Sequence, residues 1–250
     1  MKVIAVYNIK GGVGKTSSCV NLASLSAESG MKTLLWDLDA QGASSYYLNT
    51  NPEFSHGTKK LFKTRDIGKI AVETGIGGLD IIPSDFSYRN MDLFLDSEKK
   101  PKKRMAEFIS RFEKDYDVIF LDSPPSFSLV SENIFNAADI MLIPLIPTTL
   151  SMRTYSQILE YLDEHRKLPL RIMPFFSMVD RRKKLHLEII DQARENIPGV
   201  LKTVVPYLSI IESMGIRRAP VTVFAPRSDA AAIFASLWRE IALGVKIGRR

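Results

Sequence analysis

Thiol and imidazole chemistry have almost no material here, since the 250 residues contain 1 cysteine and 3 histidines. A lone Cys19, flanked by Val20 and Leu22 on a helical segment, cannot close an internal disulfide and reads as a small core residue suited to a reducing cytoplasm. An iron–sulfur centre needs several cysteine ligands, so that class is excluded. His56, His165 and His186 are scattered without zinc-like spacing, and surface positions are expected for them. No apolar run approaches the roughly 20 residues that span a bilayer. The amino terminus, MKVIAVYNIKGG, enters a strand and a glycine-rich loop at once, so cleavage of a leader would destroy that loop. Internal repeats and Pro/Gly/Ser-rich linkers are also missing, which predicts one domain over residues 1–250. Nothing forms a Ser/His/Asp hydrolase set, and Ser126 to Ser131 reads as the start of a helix.

What is present is an ordinary globular composition, 45% apolar with a mean hydropathy of −0.02, large enough to bury a full sheet. Charge is unevenly distributed. Residues 1–165 hold 18 Lys/Arg against 21 Asp/Glu, a balance of −3, whereas residues 166–250 hold 16 against 7, a balance of +9. The C-terminal third is the part expected to face a polyanion.

Short apolar runs recur at Val3–Val6, Thr33–Trp36, Leu79–Ile82, Val118–Leu121, Ile140–Leu145 and Ile172–Phe176. Near-continuous runs of this kind suit strands covered on both faces. Amphipathic stretches of helical length lie between and after them: Thr16–Ser29, Arg104–Lys114, Met152–Leu162, Leu185–Asn196 and Asp229–Leu243. The alternation predicts an α/β fold, a doubly wound, mostly parallel sheet with helices on both faces and its ligand at the carboxyl ends of the strands. The stretch Asn49–Lys69 is the least regular and is expected to be surface elaboration or a partner site.

The segment Lys10–Thr16, KGGVGKT, lies between the first apolar run and the first helical stretch. Gly11, Gly12 and Gly14 let backbone N–H groups approach phosphate oxygens that a side chain would hold off. Lys15 can neutralise the β- and γ-phosphates, and the Thr16 hydroxyl can ligate the Mg²⁺ that bridges them. The common GxxxxGK[ST] spacing is not met, because Ile9 stands at its first glycine; the spacing is the variant KGGxGK[ST]. A glycine turn with incidental lysines is the other reading. Two further strands end in carboxylates: Trp36-Asp37-Leu38-Asp39-Ala40-Gln41-Gly42, and Val118 to Pro125, whose apolar residues deliver Asp122 to a metal shell. Acidic caps on strand ends are the alternative for the first pair.

Taken in order, KGGVGKT, DLDAQG and DSPPS resemble the ParA/MinD family of deviant-Walker P-loop ATPases, with Ala40 standing where that family usually has proline. The resemblance covers nearly the whole chain and implies an ATP- and Mg²⁺-dependent ATPase of the partitioning (ParA/Soj) type. It implies nucleotide contacts from Lys10, Gly11, Gly12, Val13, Gly14, Lys15, Thr16 and Ser17. Lys10, Lys15 and Asp39 take catalytic roles, Lys10 reaching the nucleotide of a second subunit and Asp39 positioning the attacking water. Thr16, Asp39 and Asp122 serve the metal, with Asp37 in support, and Ser123 to Ser126 report the γ-phosphate. Phe176 to Arg182 is similar to the family's TMYDRR strand end and Val205-Pro206-Tyr207 to the stretch bordering adenine, which brings in Met178, Asp180 and Pro206; for each of the three a structural turn residue is the alternative.

The same resemblance implies an ATP-bound homodimer that binds non-specific nucleoid DNA through Arg181, Arg182, Lys183, Lys184, Arg217, Arg218, Lys246, Arg249 and Arg250. A ParB-like or other partner then stimulates hydrolysis and releases a plasmid, chromosome or protein-cluster cargo. A cytoplasmic, nucleoid-associated protein is implied. The alternative for the basic residues is a solvated surface. The run Lys99–Arg104 is a loop, a partner site or a second DNA contact. A MinD-like membrane cycle would need an amphipathic C-terminal helix. Here Trp238, Ile241 and Ala242 suit a helix closing the core, and Gly244 and Gly248 are expected to break the remainder. A small-molecule ligase of the same loop class stays open on sequence.

Overall fold

The computed structural model describes residues 1–50, 57–165 and 169–245. Its strands are β1 (Lys2–Val6), β2 (Thr33–Asp37), β3 (Val72–Glu73), β4 (Leu79–Ile82), β5 (Val118–Asp122), β6 (Ile140–Leu145) and β7 (Arg171–Phe176). They form one sheet in the order β3-β4-β2-β5-β1-β6-β7, parallel throughout except for β3 on β4. Successive residues of each central strand enter opposite cores: Val3, Ala5, Leu34, Trp36, Ile119 and Leu121 face one side, Ile4, Val6, Leu35 and Phe120 the other. This two-sided burial is why the runs are apolar without alternation.

The first core is covered by α3 (Thr58–Lys63), α4 (Met91–Asp96), α5 (Arg104–Ile109), α6 (Leu129–Ala137), α7 (Thr149–His165) and α8 (Lys184–Asn196). The second is covered by α1 (Lys15–Glu28), α10 (Met214–Arg217), α11 (Val221–Phe224) and α12 (Asp229–Val245). Two short helices, α2 (Ala43–Tyr47) and α9 (Ser209–Glu212), complete the set. The doubly wound parallel fold is therefore present, with β1, β2 and β5 side by side and their carboxyl ends aligned.

Several expectations need correction. Residues 57–69 are not mere elaboration: α3 inserts Leu61 and Phe62 into the first core, where Phe62 stacks on Phe94 at 5.2 Å. The helix expected over Arg104–Lys114 is α-helical only to Ile109 and tightens into a 3₁₀ turn, Ser110–Phe112, as the chain turns back toward β5. Edge strand β3 has two residues, too few to show any period. His186 is buried rather than exposed, with Nδ1 accepting the Asp180 N–H at 3.2 Å. Gly244 does not break α12; a Cβ there would meet Met173 Cε at 3.1 Å, so the glycine permits close packing on β7. His56 and Gly248 lie outside the described residues.

The C-terminal helix closes the core as expected, burying Phe234, Leu237, Trp238 and Ile241. Among the described residues, no helix is long and apolar enough to cross a membrane. Trp36 is fully buried between the rings of Phe62 and Phe108, at 5.9 and 5.1 Å. Trp36→Ala should lower the free energy of unfolding by about 3–5 kcal/mol, read from the urea midpoint at unchanged slope.

Candidate functional site

The loop between β1 and α1 is shaped by its glycines. Gly12 and Gly14 take φ of 71° and 84°, in the left-handed region that side chains disfavour. A Cβ on Gly11 or Gly12 would meet nothing within 4 Å, which leaves an open cradle over the backbone. At Gly14 the limit is steric: a Cβ would lie 2.7 Å from Ser177 Oγ at the end of β7. Buried Asn8, placed where β1 gives way to the loop, donates to the Pro144 carbonyl at 2.8 Å and accepts the Lys10 N–H at 2.9 Å, tying the loop to β6.

Lys15 is buried at the start of α1, with Nζ donating to the Lys10 carbonyl at 2.8 Å. Burial pulls its pKa below the usual lysine value, and the charges of Asp122 and Asp39 oppose that fall. The Lys10 side chain is partly exposed and, among the described residues, forms no ion pair.

Parallel pairing of β2 with β5 sets Asp37 opposite Asp122 on one rung. Both are buried, and burial together with neighbouring negative charge raises both carboxyls above the usual range. Asp37 Oδ2 accepts from Ser45 N and Oγ at 2.8 and 2.7 Å, and Asp122 Oδ2 accepts from Ser44 Oγ at 2.7 Å. In each carboxylate the other oxygen, Oδ1, is buried with no hydrogen-bond partner. Lys15 and the nearby Thr16 hydroxyl favour the charged form of Asp122. Asp39, half-buried at the mouth of this pair, accepts the Gln41 N–H at 3.0 Å, while Ser84 Oγ donates to its carbonyl.

The residues suit a magnesium ion held with a nucleotide. Orphaned carboxylate oxygens beside Thr16 and Lys15 present hard oxygen donors and unbalanced negative charge. Among the described residues, no group of three or more His, Cys, Asp or Glu side chains forms a cage of its own.

After Asp122, Ser123 Oγ donates to the Val6 carbonyl, and the Ser126 carbonyl accepts from Tyr7 Oη at 2.8 Å and from Ser131 Oγ. The DSPPS segment is thereby fastened to the strand that feeds the phosphate loop. Helix α6 begins at Leu129, inside the serine-rich stretch expected to start it.

Met178, Asp180 and Pro206 line one cleft of about 630 Å³, together with Ile146, Thr148 and Tyr207. An isolated bridge from Val179 to Pro206 brings the two segments together, and Met178 sits at a φ of 55°. The Asp180 carboxylate is engaged by Arg182, whose Nε and Nη2 lie 2.9 Å from its two oxygens.

The predicted DNA-contacting residues fall into separate environments. Arg181 and Lys183 are exposed at the loop before α8, and Lys184 pairs with Glu188 at 3.4 Å. Arg217 and Arg218 are exposed at the end of α10, with Arg218 over the Tyr46 ring at 4.8 Å. Lys246, Arg249 and Arg250 lie outside the described residues. In the run Lys99–Arg104, Lys100, Lys102 and Arg104 pair with Glu107, Glu132 and Glu98 at 3.1, 2.9 and 3.0 Å.

The motifs gave no sign of Asn8 or Ser84, and Ser177 stood inside the Phe176–Arg182 stretch without a role. For Ser44 and Ser45 the only signal was their place just past DLDAQG, after Ala43.

The AAA_31 family description, "AAA domain", matches residues 1–172. The sporulation initiation inhibitor protein Soj of Bacillus subtilis is 28% identical, over 96% of this chain and 98% of its own length. The chromosome partitioning protein ParA of Myxococcus xanthus is 27% identical, over 96% of this chain and 87% of its own. Among solved structures, cobyrinic acid a,c-diamide synthase from Mycobacterium smegmatis, with bound ADP and magnesium, superposes with a TM-score of 0.82 at 21% identity. It covers 100% of this chain and 97% of its own. At that identity the likeness concerns the fold.

Gly14→Ala should destabilise the protein by about 1–3 kcal/mol through backbone strain, with the contact to Ser177 Oγ adding to it. Urea unfolding of Gly14→Ala alone and combined with Ser177→Gly checks this. The double variant should recover the steric part and not the strain.

Proposed function

The chain belongs to the AAA-domain family AAA_31, and from that premise we propose that residues 1–250 act as one P-loop ATPase domain working as a partition switch. It is an ATPase of the ParA, Soj and MinD kind. In this reading two ATP-bound copies pair, hold duplex DNA without reading its sequence, and let go after hydrolysis. One observation carries it: Lys15, Thr16, Asp39 and Asp122, from three distant segments, are brought together at the carboxyl ends of β1, β2 and β5 beside an open glycine cradle.

Backbone N–H groups of Gly11 to Ser17 bind the phosphates, and Lys15 neutralises the β- and γ-groups. Thr16 and Asp122 would hold Mg²⁺, with Asp39 beside them; bound with ATP, the ion would supply positive charge against that developing on the transferred group. Asp39 orients the attacking water and accepts its proton. Lys10, unpaired in its own subunit among the described residues, is free to reach the nucleotide of a second copy, as an arginine finger does elsewhere. Met178, Asp180 and Pro206 border the base.

DNA contact falls to the exposed cations of the C-terminal third: Arg181 to Lys184, Arg217, Arg218 and the terminal Lys246, Arg249 and Arg250. Phosphate contacts alone supply sequence-independent affinity. Arg182 and Lys184 are committed to Asp180 and Glu188, so Arg181, Lys183 and Arg217 carry the freer charge. Such a protein is cytoplasmic and nucleoid-associated, and depends on a ParB-like or other partner to stimulate hydrolysis at its cargo. The burial of α12's apolar residues in the second core favours this reading over a membrane cycle.

Binding to random duplex DNA should require ATP, weaken as salt rises, and be lost in Lys10→Ala. Binding to anionic liposomes alone would sink the reading. Asp39→Ala should leave ATP affinity nearly unchanged and slow turnover by about 100-fold or more, trapping the dimer. Wild-type turnover in that variant would remove Asp39 from its role.

A further inference from the structure

Helix α2 follows the DLDAQG loop directly, and two of its residues lie in the interior although their hydroxyls are polar. Ser44 is fully buried and Ser45 nearly so. Each serves a different carboxylate on a different strand: Ser45 binds Asp37 at the end of β2, and Ser44 crosses to Asp122 at the end of β5, 78 residues away in sequence. Ser45 Oγ also accepts the Ser84 N–H at 2.8 Å, which fastens the start of the segment after β4 to the same knot. The loop chemistry proposed above uses neither serine.

We infer that Ser44 is a positioning residue that sets the cation affinity of the nucleotide site through Asp122. The inference rests on the reading that Asp122 serves the Mg²⁺ bound with ATP. Asp122 has two oxygens. Ser44 occupies Oδ2 at 2.7 Å, and Oδ1 is the buried oxygen without a partner. The hydrogen bond therefore fixes the plane of the carboxylate and decides which oxygen is left for the metal shell. Groups that orient a metal's ligands in this way shift affinity by about 10–100-fold when removed. Ser45, by contrast, serves Asp37, whose bonds tie α2 to β2.

The test titrates Mg²⁺ against a fluorescent ATP analogue bound to the full chain, in wild type, Ser44→Ala, Ser44→Thr and Asp122→Asn. Ser44→Ala should raise the half-saturating Mg²⁺ concentration by about 10–100-fold while leaving nucleotide affinity in EDTA unchanged. Ser44→Thr, which keeps the hydroxyl, should restore most of the wild-type value. An unchanged Mg²⁺ midpoint in Ser44→Ala, or an equal loss of affinity in EDTA, overturns the inference. Should Ser44→Ala fail to fold by circular dichroism, Ser44→Cys, close in size with a weaker donor, carries the same expectation. If Asp122→Asn shifts the midpoint and the Ser44 variants do not, the inference falls while the reading of Asp122 stands. If neither shifts it, the reading of Asp122 falls and takes the inference with it.

Discussion

Two carboxylates sealed on one rung of neighbouring parallel strands are the constraint around which this molecule is arranged. Asp37 and Asp122 face each other across β2 and β5, fully enclosed, where like charges repel strongly and desolvation penalises both. Asp39 adds to that cost, and the other groups around the pair offset it. Ser44 and Ser45 donate to one oxygen of each, Lys15 brings positive charge, and the cradle of Gly11 and Gly12 leaves room for a ligand that brings a cation. An arrangement with negative charge to spare is a poor way to stabilise a core and a good way to hold a metal–phosphate complex. Helix α2, 5 residues long, places both serines against the pair.

The fold was legible because two-sided burial writes itself as unbroken apolar runs. Six strands lie where those runs fall, and all five helical stretches contain a helix. Legibility failed where one residue's role depends on a distant neighbour. Gly244 looks like a helix breaker in isolation and is a contact point for Met173; His186 looks like a surface residue and accepts a backbone proton from Asp180. Phe62 sits in a stretch rich in lysine and threonine, and no local period announces that it joins Trp36 and Phe108 in the core. At the site, the glycines, Lys15, Thr16, Asp39 and Asp122 could be picked out because phosphate and metal chemistry would demand those residue types at set spacings. Ser44 and Ser45 could not, since a serine after a glycine turn is commonplace and only the sheet register shows what it meets.

Charge totals carry a similar lesson. The excess of the C-terminal third is real as a sum, yet Arg182 closes on Asp180 and Lys184 on Glu188, so those cations are partly neutralised before any polyanion arrives. The denser run at Lys99–Arg104 is more deeply committed, with Lys100, Lys102 and Arg104 all held by glutamates. The pairs exposed on both sides, Lys184–Glu188 and Lys100–Glu107, contribute little to stability. Their effect is on where the long-range field is strong, and it favours Arg181, Lys183 and Arg217 over the run that looks most basic on paper.

The sheet order also bears on how the protein comes into being. The phosphate loop is complete once α1 has been made, but the carboxylate rung beside it waits for β5, whose last residue is Asp122, inserted between β1 and β2. Pairing at such sequence separation is slow and cannot begin before the distant strand exists. A nascent chain that already displays KGGVGKT therefore still lacks Asp122 and the rung it forms with Asp37. The full cluster is assembled late, together with closure of the central sheet.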